Sequence, residues 1–272
     1  MESAPDAGDP GQHGSGSGSG SGSGDTNTQG SGSGSGTTAP THVRLLLSEI
    51  SLGPAGHEFI EIVNPTAFAV PLKDLYLSDN GNYFKLPAGT ATLQSGDFIV
   101  RFPDNDIVPA HGVITVAVGA STDFKTAFGS NPTYSIADGT ITVVSAMTPS
   151  LTDTGEVMIL FQWDGSAPVV RDVDIMIAGV PTAANSIVSK SDYTQLTSAY
   201  KSDLMSIGPQ AAAPAAGKST KRIALETGHE MQTGGGNGVD GDDETSEATG
   251  TTWDSSTFTV PTPGQVPSAL LQ

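Results

Sequence analysis

The stretch with the most chemical character is Thr233–Thr251, TGGGNGVDGDDETSEATGT. Glu226, Asp254 and the residues between them include eight acidic side chains and no Lys or Arg. Carboxylates on a Gly-rich, bendable loop are hard oxygen ligands, and Ca²⁺ takes about six to eight of these in flexible geometry. Asp240, Asp242, Asp243 and Glu244 are therefore the candidate metal ligands, with calcium as the candidate cofactor. Gly235-Gly-Asn-Gly-Val-Asp240 matches half of a calcium-binding nonapeptide repeat. It occurs once, and Asp242 fills the apolar position, so no stacked β-helix is expected. No EF-hand loop aligns, because the alternating acidic start is missing. The competing reading is a solvated acidic loop extended by self-repulsion.

Other constellations lead away from catalysis. Glu49, Glu58 and Glu61 lie on two neighbouring strand-like runs, but alternation sends Glu58 and Glu61 to opposite faces, whereas a paired-acid hydrolase needs converging carboxyls. The expectation is that they bond basic groups or sheet-end amides. His13, His42, His57, His111 and His229 are scattered, with no HExxH and no i, i+4 pair. The Gly-Ser tracts put Gly two places after each Gly, so G-x-S-x-G does not arise there. Gly236-Asn-Gly-Val-Asp-Gly241 has the G-x-G-x-x-G spacing, but no strand precedes it, no helix follows, and acid surrounds it. Tyr83, Phe84, Trp163 and Trp253 are the aromatics that could form a carbohydrate-binding face; at 6% aromatic content the core is expected to claim most of them. No catalytic and no cofactor-binding residue is assigned, and the chain reads as a non-enzyme.

Composition bounds the rest. The 272 residues carry 11 Lys+Arg against 29 Asp+Glu, a formal net charge of −18. That balance argues against nucleic acid, which is held largely through Lys and Arg on phosphates. Zero cysteines removes disulfides, thiolate metal sites and cysteine nucleophiles from this chain. No run approaches the ~20 apolar residues of a membrane-spanning helix.

Residues 1–40, with two Gly-Ser runs around Asp25-Thr-Asn-Thr-Gln29, offer no apolar surface to bury and read as a disordered tether. The alternative is an engineered linker, or one that joined this domain to a partner since lost. Met1-Glu-Ser-Ala-Pro is not a signal peptide. Either the protein is cytoplasmic with a native Met1, or a signal has been removed; a low-complexity tether of this kind is common just after a lipoprotein's modified cysteine. The expectation taken forward is an extracytoplasmic location, in the cell envelope or at the cell surface, with lipid-anchored membrane attachment through a missing N-terminal signal.

From Val43 onward, short apolar runs alternate with turn signals, the pattern of a sandwich or barrel. Strands are expected at Val43–Ser51, Glu58–Asn64, Asp74–Ser78, Tyr83–Leu86, Phe98–Phe102, Val113–Val118, Ile141–Ser145, Glu156–Trp163 and Val169–Ile177, with a late strand at Arg222–Glu226. Asn80-Gly81 is placed to form a hairpin between LYLS and YFKL. Tyr193, Leu196, Tyr200 and Leu204 give helical spacing over Asp192–Ser206, and Thr122–Phe128 reads as a shorter helical turn. Residues 41–266 form the domain and 267–272 a loose C-terminal tail. Phe59, Ile62, Leu77, Ile159 and Phe161 are the expected core.

Several runs, taken in order, resemble the lamin tail domain family. Leu46-Leu-Ser-Glu-Ile50 and Glu58-Phe-Ile-Glu-Ile-Val-Asn-Pro65 are similar to its opening strands. Leu72–Asp79 occupies the place of its "LSGWxLxD" segment, with Asp74-Leu75 where the family has Gly-Trp. Leu151–Val157 resembles its "LSNSGExV" entry, and Asp164-Gly165 with Val173-Asp174 its "DG…VD" hairpin. Lys221-Arg222, Trp253 and Pro261-Thr-Pro-Gly264 resemble its closing residues. The likeness runs from about 43 to 266, with extra material at 100–145 and 180–250. It implies an all-β, immunoglobulin-like sandwich without catalytic activity, serving binding, scaffolding or adhesion towards a protein or surface polymer. The alternatives are a self-assembling surface subunit, built by strand addition at an exposed sheet edge, and an accessory domain of a separate enzyme.

Overall fold

The structure, a computed structural model, describes residues 45–179, 188–190, 199–203, 210–226, 234–254 and 256–272. Apolar runs between turn signals become short strands. In chain order these are β1 (Leu46–Ser51), β2 (Phe59–Val63), β3 (Val70–Pro71), β4 (Leu75–Ser78), β5 (Phe98–Arg101) and β6 (Ile107–Val108). They continue with β7 (Val113–Ala117), β8 (Tyr134–Ser135), β9 (Thr142–Ala146), β10 (Gly155–Gln162), β11 (Arg171–Gly179) and β12 (Thr220–Lys221). One sheet runs β12-β1-β2-β7-β8 and a second β11-β10-β4-β5-β9, with β3-β6 as a small ribbon. The result is the expected all-β sandwich. Among the described residues no helix is long and apolar enough to cross a membrane.

The main core lies between the sheets. Leu47, Ile50, Ile60 and Ile62 from the first meet Leu75, Leu77, Phe98, Val100, Met158 and Leu160 from the second. The outer faces are covered as well, which is why residues at alternate positions of β2 and β10 are all buried. Phe59 packs on Phe124 and Phe128 of the helix α1 (Ser121–Phe128), outside the first sheet. Tyr76, Ile159 and Phe161 form an outer cluster on the second sheet with Tyr83, Phe84 and Tyr200. The five expected core residues are thus all buried, though in three different layers.

Three expectations are corrected. Tyr83–Ala88 is a 3-10 helix, not the second strand of a hairpin. Strand alternation would turn one of Tyr83 and Phe84 outwards, whereas the tight turn delivers both to the same outer cluster. The Asn80 side chain fixes that turn by accepting from the Asn82 amide at 2.7 Å and donating to the Thr92 carbonyl at 2.9 Å. The late strand expected at Arg222–Glu226 is not formed: the pairing with β1 lies just before it, at β12, and the amides of Ile223 and Ala224 turn away to the Thr252 carbonyl. The last residues are docked: Leu270 is buried beside Leu46 and Val63, and the Gln272 amide donates to the Pro65 carbonyl at 2.9 Å. The helix expected at Asp192–Ser206 falls mostly outside the described residues, and its described part, 199–203, is not helical. The shorter helical turn is present as α1.

Candidate functional site

The acidic residues of the opening strands hold the chain's end in place. Glu49 accepts from the Ser219 hydroxyl at 2.5 Å and from the Thr262 amide at 2.9 Å. Glu61 accepts from the Ser48 hydroxyl at 2.9 Å and from the Gly264 amide at 2.5 Å. The Pro261–Gly264 turn is therefore clasped by β1 and β2. Glu58 accepts from the Leu151 amide at 3.0 Å, and Glu156 from the amides of Thr152 and Val157. Burial pushes Glu61 and Glu156 each up to about 7, in spite of these amides. Burial also raises Glu58, and Asp79 well above the carboxylate range. Asn64 of the same opening motif ties loops together through the carbonyls of Phe68, Val108 and Pro109.

Two buried charge clusters grow from β11. Asp172 pairs with Phe161 and Asp174 with Leu160, so Val173 is an extra residue bulged out of the ladder. Acids at i and i+2 would normally share a face; the bulge re-aims one of them. Asp174 turns inwards towards Arg222 and Trp253, and Asp172 outwards towards Tyr83.

In the inner cluster, a fully buried Arg222 donates to both Asp174 oxygens at 2.7 and 2.8 Å, to Glu247 at 2.9 Å and to the Leu47 carbonyl at 2.8 Å. Glu226 approaches to 3.7 Å, and the guanidinium stacks over Trp253 at 5.1 Å. Burial pushes Asp174 up to about 6, against the pull of Arg222, and lifts Glu226 well above its ordinary value.

In the outer cluster, Lys190 Nζ lies 2.7 Å from Asp172 Oδ2 and 3.5 Å from Asp203 Oδ1. The Tyr83 hydroxyl donates to Asp172 Oδ1. Asp203 is held by the Lys190 amide at 2.6 Å and by the Asn237 side-chain amide at 2.7 Å. Burial alone would lower Lys190, but Asp172 and Asp203 outweigh it and the ammonium pKa is raised.

The Gly-rich acidic loop does contribute to these clusters, through Asn237 and Glu247 and, of the expected four, through Glu244 alone. Asp240 is exposed, and Asp242 accepts from the Gly234 amide at 2.6 Å. Asp243 caps the 3-10 turn Glu244–Ser246 by accepting from the Thr245 amide. Glu244 turns inwards, where one of its oxygens lies within 4.8 Å of oxygens from Asp174 and Glu226. Among the described residues this is the only acidic triad so placed, and the four expected ligands do not converge. Arg222 already supplies a cation there, with both Asp174 oxygens engaged. The glycines serve packing: a Cβ on Gly236 would fall 2.1 Å from the Asp242 carbonyl oxygen, and one on Gly238 2.7 Å from Glu244 Oε1. Sequence reasoning passed over Arg222, Lys190, Asp172, Asp174 and Asn237. Their signal is the pair of acids in VVRDVDIMIAG, since two carboxylates inside an apolar strand call for buried cations.

The four aromatics considered for carbohydrate are claimed elsewhere. Tyr83, Phe84 and Trp253 are buried, and Trp163 donates its indole N–H to the Ala167 carbonyl at 2.8 Å. A shallow groove of about 360 Å³ is bordered by Ser51, His57, Phe128 and Pro261, with His57 its single titratable side chain. The Ser51 hydroxyl there is turned to the Gly53 carbonyl, so the groove holds no nucleophile–base pair.

The chain matches no family model and no curated protein. Among solved structures it is similar to a DUF4876 family protein from Bacteroides thetaiotaomicron, at 13% identity and a TM-score of 0.44. That likeness covers 83% of this chain and 74% of the other.

Proposed function

We propose that this chain is a non-catalytic, extracytoplasmic binding or scaffolding domain of the lamin-tail, immunoglobulin-like kind, displayed on its Gly/Ser tether. One observation carries the non-catalytic reading. The motif carboxylates that could have done chemistry, Glu49, Glu58, Glu61 and Glu156, are bonded to amides and hydroxyls of their own chain. Side chains used in this way stabilise loops and have no free face to offer a substrate. The lamin-tail assignment rests on the ordered motifs, and the location on the tether's composition. The same reading has the tether fixed to a membrane by a lipid on a cysteine encoded upstream, which the native gene's first codons test.

The test is protease treatment of intact cells of the encoding organism, followed by blotting for the domain. Cleavage without lysis is the expected result; protection until lysis would overturn the extracytoplasmic reading. Co-sedimentation of the purified chain with isolated envelopes then tests binding, and no retention above a carrier protein would count against it.

A second reading, assembly by strand addition, is favoured by β9. This strand is the edge of its sheet and leaves Val143 and Val144 exposed, with Met147 just beyond. Unpaired edge amides beside apolar side chains template a further strand. Light scattering should then show concentration-dependent oligomers that Val143→Lys abolishes, and a concentration-independent monomer would end this reading.

A further inference from the structure

We propose that Lys190 and Asp172 become joined by an intramolecular isopeptide bond, formed by the protein itself with Asp203 carrying the proton. The three groups lie together out of solvent reach: the side chains of Lys190 and Asp203 are wholly buried and that of Asp172 is only 1% exposed. Aromatic rings line the site, with Nζ 5.2 Å from the centre of Tyr83 and 5.7 Å from that of Phe84. Holding an amine in van der Waals reach of a carboxyl carbon converts a slow bimolecular amide synthesis into an intramolecular one. A buried site favours the neutral product over a desolvated ion pair.

The roles follow from the contacts. In the salt bridge the ammonium passes one proton to Asp172 Oδ2, leaving a neutral amine beside a neutral carboxylic acid. Burial assists by raising the Asp172 pKa. Nζ then attacks Asp172 Cγ, and the charge that develops on Oδ1 meets the Tyr83 hydroxyl already donating to that atom. Asp203 takes a proton from the new C–N nitrogen across the 3.5 Å gap and returns it to Oδ2, which leaves as water. One C–N bond forms and one C–O bond breaks; an ammonium and a carboxylate become an amide and a water. Asn237 is a positioning residue: it donates to Asp203 Oδ1 and bonds both the amide and the carbonyl of Lys201.

The experiment is intact-mass spectrometry of the purified full chain, followed by peptide mapping. The expected result is a mass lower than the sequence mass by one water, and a branched peptide linking Lys190 to Asp172. Lys190→Arg should restore the full sequence mass. Asp203→Asn should leave most of the chain unlinked. Recovery of Lys190 and Asp172 in separate linear peptides from the parent protein would overturn the proposal, whether or not either variant folds. So would a water loss that persists in Lys190→Arg, since succinimides at Asp138-Gly139, Asp164-Gly165 or Asp240-Gly241 lose the same mass. An Asp203→Asn chain that links as fully and as fast as the parent would remove Asp203 from the mechanism.

Discussion

Asp172 and Asp174 stand two positions apart on β11, yet the clusters they anchor are built on opposite principles. Asp174 faces a guanidinium whose planar fork is filled by Asp174, Glu247 and the Leu47 carbonyl. Such a cation is always charged and is held by directional bonds, so its contribution is orientation and cohesion. Asp172 faces a primary amine inside aromatic walls, with a second carboxylate standing off at 3.5 Å. An amine has the geometry of a point charge and, once a proton leaves, a lone pair that can attack. The same element, one bulge apart, supplies a locked fastening on the inner side and a reactive one on the outer side.

Replacing Arg222 should give the largest effect of any change that sharpens this contrast. Arg222→Ala strips the cation from Asp174, Glu226 and Glu247 in a buried site and should cost about 3–5 kcal/mol of stability in urea unfolding. A loss below about 1 kcal/mol would mean the fork is not what holds β1, β11 and the acidic loop together. Arg222→Lys keeps the charge but not the fork, and should still lose roughly 2 kcal/mol as charge-assisted bonds disappear.

The next effect is in pH. Glu61 and Glu156 are pushed up to about 7 from 4.5. Between those values the folded chain keeps protons that the unfolded chain has released, so stability falls as pH rises through the window and the penalty is complete above it. The melting midpoint should therefore be several degrees higher near about pH 5.5 than near about pH 8, at roughly 2–4 °C per kcal/mol for a chain of this size. Glu61→Gln should flatten part of that slope. A midpoint that rises with pH over this range would contradict the assignment. The smallest effect is expected from deleting residues 1–40, whose composition provides nothing to bury; the midpoint should stay within about 1 °C.

Much of the sandwich was legible in the sequence because strand runs and turn residues act locally. LLSEIS, FIEIV, FIVR and GEVMILFQ each declare themselves by apolar content, and each is a strand. Tyr83–Leu86 misled because adjacent aromatics look strand-like, while their burial on one side is decided by the distant Tyr200 and Phe161. The site was less legible for a related reason. The acidic loop was recognisable, but the partners of its side chains come from β11, from 201–203 and from 222–226, far away in sequence. Asp243 was drawn into a cap and Glu244 into the interior, so four neighbouring acids were dispersed by long-range packing. The Val173 bulge has no local signal at all, and it decides which cluster each β11 acid joins.

The central claim is that the recognisable carboxylates of β1 and β2 fasten the opening strands to the Pro261–Gly264 turn. Amide hydrogen exchange at Thr262 and Gly264 tests it directly, because neither residue lies in a strand and their amides have Glu49 and Glu61 as partners. The account predicts that both exchange nearly as slowly as the amides of β1, and that Glu61→Ala frees Gly264 while Thr262 stays protected. Exchange of both amides at the rate of an open loop in the parent protein, with β1 still protected, would contradict it.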